Sequence, residues 1–249
     1  MEVIVEKNKN IVLFSGGIDS LATYCLLRLM GESVSLLYVD LGTKYSVKER
    51  NVAQDLVGKI NALDNFYSFG KFYDLPLHWI GLFEQEDAEI KNRNLLLLTI
   101  ASFFGKDIFI SLENGSQINP SEDRSDDFLH SAEGLIKIKI YNLVRCFTKG
   151  EEVGVILEYF KDKALDILKS TYSCYAGGNE RCGECPACVR TFFALKFNNI
   201  NTEGWFVVNP LLTEIGQTYI KRIRQGYYTG RRGEEYTKVL DNLYKEDLL

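Results

Sequence analysis

The stretch Ser15-Gly16-Gly17-Ile18-Asp19-Ser20 puts two hydroxyls, a carboxylate and two residues without side chains at the end of the apolar run Asn10 to Phe14. A chain that leaves a strand through such a turn and enters a helix exposes bare backbone amides at the positive end of that helix. This suits phosphate oxygens. The missing β-carbons of Gly16 and Gly17 let an anion approach closely. Ser15 and Ser20 add hydroxyl donors, and Asp19 can hold a magnesium ion or cap the helix. The segment is not a Walker A loop, because it lacks the Gly-Lys-Ser/Thr ending and its lysine.

A second constellation lies downstream. Cys182, Cys185 and Cys188 stand at C-x-x-C-x-x-C spacing, with Cys174 eight residues before the first of them. Thiolates so spaced can close a tetrahedron around zinc, and four sulfur ligands leave no open position, so such a metal is structural. A four-iron cluster is the competing occupant. Cys25 and Cys146 stand apart in apolar surroundings and are expected to pack as small apolar side chains. His78 and His130 are isolated in the sequence and are expected at the surface.

The elements that must position these groups read as an alternation. Asn10 to Phe14 and Ser33 to Asp40 are short apolar runs without clean alternation, as parallel strands covered on both faces require. Between them, Leu21, Ala22, Cys25, Leu26 and Leu29 recur at helical spacing, and Gly31 supplies a C-cap. The pattern predicts further helices over Val47 to Ile60 and Asn94 to Phe104, with strands near Phe66, over Asp107 to Ser111 and over Leu135 to Tyr141. Helices are expected over Glu151 to Tyr159, Ala164 to Leu168 and Ala187 to Lys196. The fold class is therefore α/β, a doubly wound parallel sheet of Rossmann-like type with a zinc-binding C-terminal region, and its ligand site belongs at the carboxyl ends of the strands. The expected organisation is an α/β domain over 1–165, a four-cysteine region over 166–200 and an extension over 201–249 with weaker periodicity. Asp40, at the carboxyl end of the second strand, is a candidate nucleotide contact.

Composition bounds the partners. The 249 residues carry 29 basic and 34 acidic side chains, a net charge of -5, so no global basic field serves nucleic acid. No basic leader precedes a cleavable apolar core, and no apolar run reaches the length of a membrane span. A cytoplasmic location is the resulting expectation, and there the clustered cysteines read as metal ligands, not as disulfides.

The pattern S-G-G-x-D-S after the first strand resembles the pyrophosphate loop of the N-type ATP pyrophosphatases. Taken with the cysteine cluster it resembles one branch, the QueC family of 7-cyano-7-deazaguanine synthases, from about Ile11 to Phe197. Arg93 and Asn94 match the Arg-Asn that opens the family's apolar helix, and Lys149 matches a lysine after its next strand. Thr171, Cys174 and Tyr175 match its Thr-x-x-Cys-Tyr, and Arg190 with Phe193 its trailing Arg-x-x-Phe. The resemblance implies ATP, magnesium and zinc as cofactors. It implies a ligase that adenylates the carboxylate of 7-carboxy-7-deazaguanine, lets ammonia displace AMP to give an amide, and dehydrates that amide with a second ATP to the nitrile. Ser15, Gly16, Gly17, Asp19 and Ser20 would hold the nucleotide with Asp40 at the adenosine, while Arg93 and Lys149 would neutralise phosphate charge.

The match fails in places. Lys91-Asn92 stands where the family writes Pro-Gly, and Leu41-Gly42-Thr43-Lys44-Tyr45 where it tends to write Tyr-Gly-Gln-Arg/Lys-His. The loop from Ser111 to Arg124 departs from the family's Asp-rich turn; Arg124 and Phe128 align, and Glu122 or Asp123 are the acids available. That loop borders the base pocket in the family. It motivates a rival reading, in which a QueC-like enzyme of an antiphage or nucleobase-modification system halts at the amide or joins the acyl group to a protein amine. Lys221 to Arg232, KRIRQGYYTGRR, interleaves basic and aromatic residues. A surface helix and turn, an anion-facing flap or a docking segment for a protein partner are the readings preferred there over nucleic acid. Relatives commonly pair as homodimers, so the resemblance leaves that assembly as an expectation.

Overall fold

The computed structural model describes residues 9–63, 69–85, 90–112 and 122–245. They form two compact units, 1–146 and 147–249.

Among the described residues the first unit is built on five parallel strands: β1 Asn10–Leu13, β2 Val34–Asp40, β3 Phe69–Pro76, β4 Asp107–Phe109 and β5 Lys139–Tyr141. The sheet order is β3-β2-β1-β4-β5. The chain winds outward in one direction from β1 and then returns to β1's other side, so β1 and β4 flank the point where strand order reverses. Val12 pairs with Leu36 on one side and Phe109 on the other. All seven residues of β2 are buried, which is why its sequence shows no polar alternation. Ile11 and Leu37 face a core shared with helix α3 (Arg93–Ala101) and helix α4 (Asp126–Ile136). Val12 and Leu36 point to the opposite face, where α1 (Ile18–Leu29) and α2 (Ser46–Leu63) pack with Leu21, Ala22, Leu56 and Ile60 buried.

Local signals account for the helix ends. Helix α1 stops where Gly31 takes φ +79; its amide donates to the Arg28 carbonyl and that of Glu32 to the Leu27 carbonyl, the paired bonds of a Schellman cap. Helix α4 starts at Ser125, whose hydroxyl accepts the Phe128 amide. The segment Leu135 to Tyr141 is a correction to the strand expected there. Its first two residues finish α4, Lys137 turns the chain at φ 58, and only Lys139–Tyr141 is strand. Phe66, near which a strand was expected, lies outside the described residues, and β3 begins at Phe69.

The second unit is helical: α5 Lys149–Phe160, α6 Ala164–Ser170, α7 Pro186–Phe197, α8 Glu214–Arg224 and α9 Gly230–Lys245. Thr148 and Glu151 form a reciprocal capping box at the start of α5. The last fifty residues are less loose than their apparent lack of period suggests. Ile220 and Ile223 of α8 and Tyr236, Val239, Leu240 and Leu243 of α9 join Val189, Phe192 and Phe193 of α7 in one core. The α9 residues recur at i, i+3, i+4 and i+7, an amphipathic signal legible in the sequence. Among the described residues no helix is long and apolar enough to cross a membrane.

Candidate active site and metal centre

The turn from β1 into α1 sits at the carboxyl end of β1, beside the reversal of strand order. Gly16 adopts φ +78, and a β-carbon there would lie 2.8 Å from Val52 Cγ1 and 3.1 Å from the Ala53 amide nitrogen of α2. The turn therefore requires glycine both for its backbone angle and for its closeness to α2. Gly17 is the N-cap of α1 in extended conformation, and Asp19 stands in the first turn of the helix. The Ser20 hydroxyl donates to the Gly17 carbonyl at 3.1 Å, which steadies the turn from within the helix. The first amides of α1 have no partners inside the helix and open toward the end of the sheet.

These groups border a cavity of about 250 Å³ within the first unit. Ser15, Asp19 and Ser20 line it from the turn, Val39 and Leu41 from the end of β2, Ile110 and Ser111 from beyond β4, and Arg93 and Asn94 from the start of α3. Arg93 is the first residue of α3, presented by Asn92 in left-handed conformation at φ 60. Asn94 is buried and donates to the Asp123 carbonyl at 3.1 Å, tying the described end of the 111–124 loop to the cavity wall. The rest of that loop, 113–121, lies outside the described residues.

Asp40 is placed differently from its lining neighbours. Its Oδ1 accepts the Gly42 amide at 3.0 Å, and its Oδ2 lies 2.8 Å from His78 Nε2. Burial alone would raise this carboxyl, but Gly42, Ser46 and His78 outweigh it and hold Asp40 below the usual carboxylate range. His78 lies at the surface as expected, but it is not isolated. It pairs with a carboxylate 38 residues away in sequence, across the turn that follows β2.

Sequence reasoning missed Glu49. It stands on the first turn of α2, lines the cavity, and sits within the electrostatic reach of Arg93. Burial lifts its carboxyl to about 7, with Asp40 and Glu84 adding to the rise and Arg93 opposing it. The run Lys48-Glu49-Arg50 reads as a solvated helix face, and nothing in it marks the middle residue. Lys149 belongs to the second unit, at the first residue of α5, with its Nζ 3.3 Å from Glu152 Oε2.

The four cysteines of the second unit converge. The sulfurs of Cys174, Cys182, Cys185 and Cys188 all lie within 4.8 Å of one another. Cys182 and Cys188 are 3.9 Å apart, and Cys185 and Cys174 4.0 Å. A tetrahedron with arms of about 2.3 Å has edges of roughly 3.8 Å, so the sulfurs fit one ion at their centre. A four-iron cluster would place a whole iron–sulfide cube between them and requires them farther apart. The amides of Cys182 and Glu184 donate to the sulfurs of Cys174 and Cys182, at 3.4 and 3.3 Å. Beside them the buried Arg181 guanidinium donates to the Leu168 carbonyl at 3.0 Å and covers the Trp205 ring at 5.4 Å. Its positive charge offsets the thiolates. Thr171 accepts from Arg181 at 3.1 Å, Arg190 donates to the Tyr175 hydroxyl at 3.1 Å, and Phe193 is buried in the α7 core. Cys146, expected to pack, is exposed, whereas Cys25 is buried as expected.

The basic and aromatic residues near the end are largely taken up locally. Arg222 covers Tyr227 at 5.1 Å and Arg224 covers Tyr244 at 5.2 Å. Tyr228 stacks on Tyr219 at 5.7 Å, and Arg231 pairs with Glu151.

No family profile matches the chain. In sequence it is similar to curated 7-cyano-7-deazaguanine synthases. It is 29% identical to 7-cyano-7-deazaguanine synthase 1 of Desulfitobacterium hafniense over 73% of this chain and 89% of that protein. It is 26% identical to the enzyme of Methanosarcina mazei over 84% of this chain and 99% of that protein. Among solved structures, a 4-thiouridine synthetase–RNA complex with bound ATP aligns with a TM-score of 0.44 at 15% identity, over 68% of this chain and 43% of that one.

Proposed function

We propose, from the premise that this chain is a homologue of the 7-cyano-7-deazaguanine synthases, that it is an ATP-dependent ligase acting on a deazapurine carboxylate, 7-carboxy-7-deazaguanine. The observation that carries the reading is the Ser-Gly-Gly-x-Asp-Ser turn at the reversal of strand order, opening into a cavity with Arg93 on its far wall. In this reading Ser15, Gly16, Gly17 and Ser20 hold the β and γ phosphates of ATP, and Asp19 holds magnesium. Asp40 borders the adenosine through the Gly42 turn that it fixes. A substrate carboxylate oxygen attacks the α phosphorus, the bond to the β phosphate breaks, and pyrophosphate leaves into the amides of α1. Arg93 neutralises the phosphate charge that develops. Ammonia then attacks the acyl carbon and AMP departs, giving the amide; a second ATP adenylates the amide oxygen, and departure of that oxygen with a second AMP, with loss of both nitrogen protons, gives the nitrile. Zinc held by Cys174, Cys182, Cys185 and Cys188 has no open position and serves as a structural tie for the loop between α6 and α7.

The test is one incubation of the pure protein with ATP, magnesium, ammonium and 7-carboxy-7-deazaguanine, followed by mass spectrometry of nucleotide and base. AMP with a nitrile is the expected result. ADP with orthophosphate as the sole nucleotide products would overturn it. The departure of Ser111 to Arg124 from the family pattern favours a second reading, in which the chain stops at the amide or transfers the acyl group to a protein amine. The same incubation separates the two by product mass.

A further inference from the structure

The cavity holds one carboxylate for which the scheme above has no use. Asp19 stands at the phosphate turn, where a magnesium ion is expected. Glu49 stands across from it on α2, lining the same space as Ser15, Ser20 and Arg93. A carboxylate half-buried at the wall of a reaction cavity is costly to keep, and the ordinary reason to meet one is an ion pair. Arg93 supplies part of such a pair. The remaining surroundings oppose it: Asp40 at the end of β2 and Glu84 after the short helix His78–Phe83 are both acids. Two acids against one guanidinium leave the Glu49 carboxyl able to gain and lose a proton in the neutral range, with burial pushing it up to about 7.

The proposed reaction has a need of that kind. Ammonia at neutral pH is mostly ammonium, which has no lone pair, and attack by the neutral form leaves a surplus proton on nitrogen. We infer that Glu49 is the general base of the amination, taking a proton from bound ammonium to free the nitrogen lone pair that attacks the acyl carbon. The C–N bond forms, the bond from acyl carbon to phosphate oxygen breaks, AMP leaves with that electron pair, the proton taken from ammonium resides on the Glu49 carboxylate until solvent removes it, and the second proton shed by nitrogen passes to solvent. Arg93 beside it attracts the anionic leaving group, so that proton acceptor and phosphate anchor occupy adjacent walls. The inference rests on the carboxylate-activating reading.

The competing account is that Glu49 merely orients Arg93. Two nucleophiles tell them apart. Hydroxylamine is mostly unprotonated at neutral pH and needs no base before it attacks, whereas ammonium does. The Glu49→Gln variant is compared with the wild type at pH 7 using ATP, magnesium and 7-carboxy-7-deazaguanine, reading amide with ammonium and hydroxamate with hydroxylamine. A fall of at least tenfold with ammonium but less than threefold with hydroxylamine is expected, since general bases contribute factors of about 100 or more. Glu49→Asp, which keeps a carboxyl, should recover a larger share of the ammonium rate than Glu49→Gln. Equal defects with both nucleophiles would assign Glu49 to orienting Arg93 and overturn the inference, as would full ammonium activity in Glu49→Gln. If the wild type forms neither amide nor hydroxamate, the carboxylate-activating reading itself fails and takes this inference with it. Thermal melts of both variants guard against misfolding, and Glu49→Asp carries the comparison if Glu49→Gln does not fold.

Discussion

The Glu235 carboxylate, carried on the last helix, receives the amide of Gly150 at the start of α5, with Oε2 at 3.0 Å and Oε1 at 3.2 Å. Residues 85 apart in sequence are joined by this one contact, and Glu235 is only 3% exposed. A β-carbon on residue 150 would lie 2.6 Å from Oε2 and 2.6 Å from Phe197 Cδ1. Gly150→Ala must push α9 or α7 aside. Both Gly150→Ala and Glu235→Ala should destabilise the second unit by about 1–3 kcal/mol, the cost of a strained core contact or of a buried donor left without its acceptor. Urea unfolding of each variant checks this, and stability equal to wild type in both would show that α9 does not anchor α5.

Glu49 should make the protein less stable in alkali than an isostere would. Its carboxyl is raised from an ordinary 4.5 to about 7, so the folded chain holds that proton where the unfolded chain has lost it. The resulting cost is absent below the ordinary carboxyl range, grows through it, and is complete above about pH 7. Glu49→Gln is expected to gain about 1–3 kcal/mol over the wild type at pH 8 and little at pH 4, seen as a difference of several degrees in melting temperature.

The pair His78 and Asp40 is asymmetric. The Asp40 side chain is 4% exposed and that of His78 61%. Truncating the histidine removes one exposed partner, whereas truncating Asp40 strands the Gly42 amide as well. His78→Ala should therefore cost under about 1 kcal/mol and Asp40→Ala about 2–3. Because Asp40 is held low, its contribution is present at neutral pH and is lost as acid protonates it. The gap between the two variants, measured by denaturant, should therefore narrow toward pH 3.

The pure protein should carry about one zinc per chain by elemental analysis. Cys188→Ser, which removes a buried ligand, is expected to leave less than half of that metal and to lower the melting temperature. Chelation of the wild type should have the same sign of effect. Iron in place of zinc, with visible absorbance, would contradict the sulfur spacing.

Ser20→Ala deletes a hydroxyl that lines the cavity and holds the Gly17 carbonyl. Loss of the internal bond costs about 1 kcal/mol. Formation of AMP should fall by a factor of about 100 or more, as for removal of a single donor to developing charge. A variant with normal melting and full AMP formation would place the nucleotide elsewhere.

Much of this was legible from the chain alone because the signals are local. A phosphate turn needs glycine at a positive φ and hydroxyls within a few residues, so Gly16, Gly17, Ser15 and Ser20 announce it together. Metal ligands on one loop must be closely spaced, so the four cysteines were readable as a set. Continuous apolar strands and helical periods marked β1, α1, β2 and α3 for the same reason. The α9 stripe at Tyr236, Val239, Leu240 and Leu243 was equally local, but its charged surroundings masked it.

What only the tertiary structure decided is long-range. Glu49 lies in a run of charges that any exposed helix would show, and its character comes from burial and from Arg93, Asp40 and Glu84 on other elements. The pairing of His78 with Asp40 and the grip of Glu235 on Gly150 depend on segments that meet after folding. Side-chain type and spacing thus carry the chemistry of a turn or a metal loop, whereas proton affinity and mutual support depend on the dielectric and the neighbours that packing supplies.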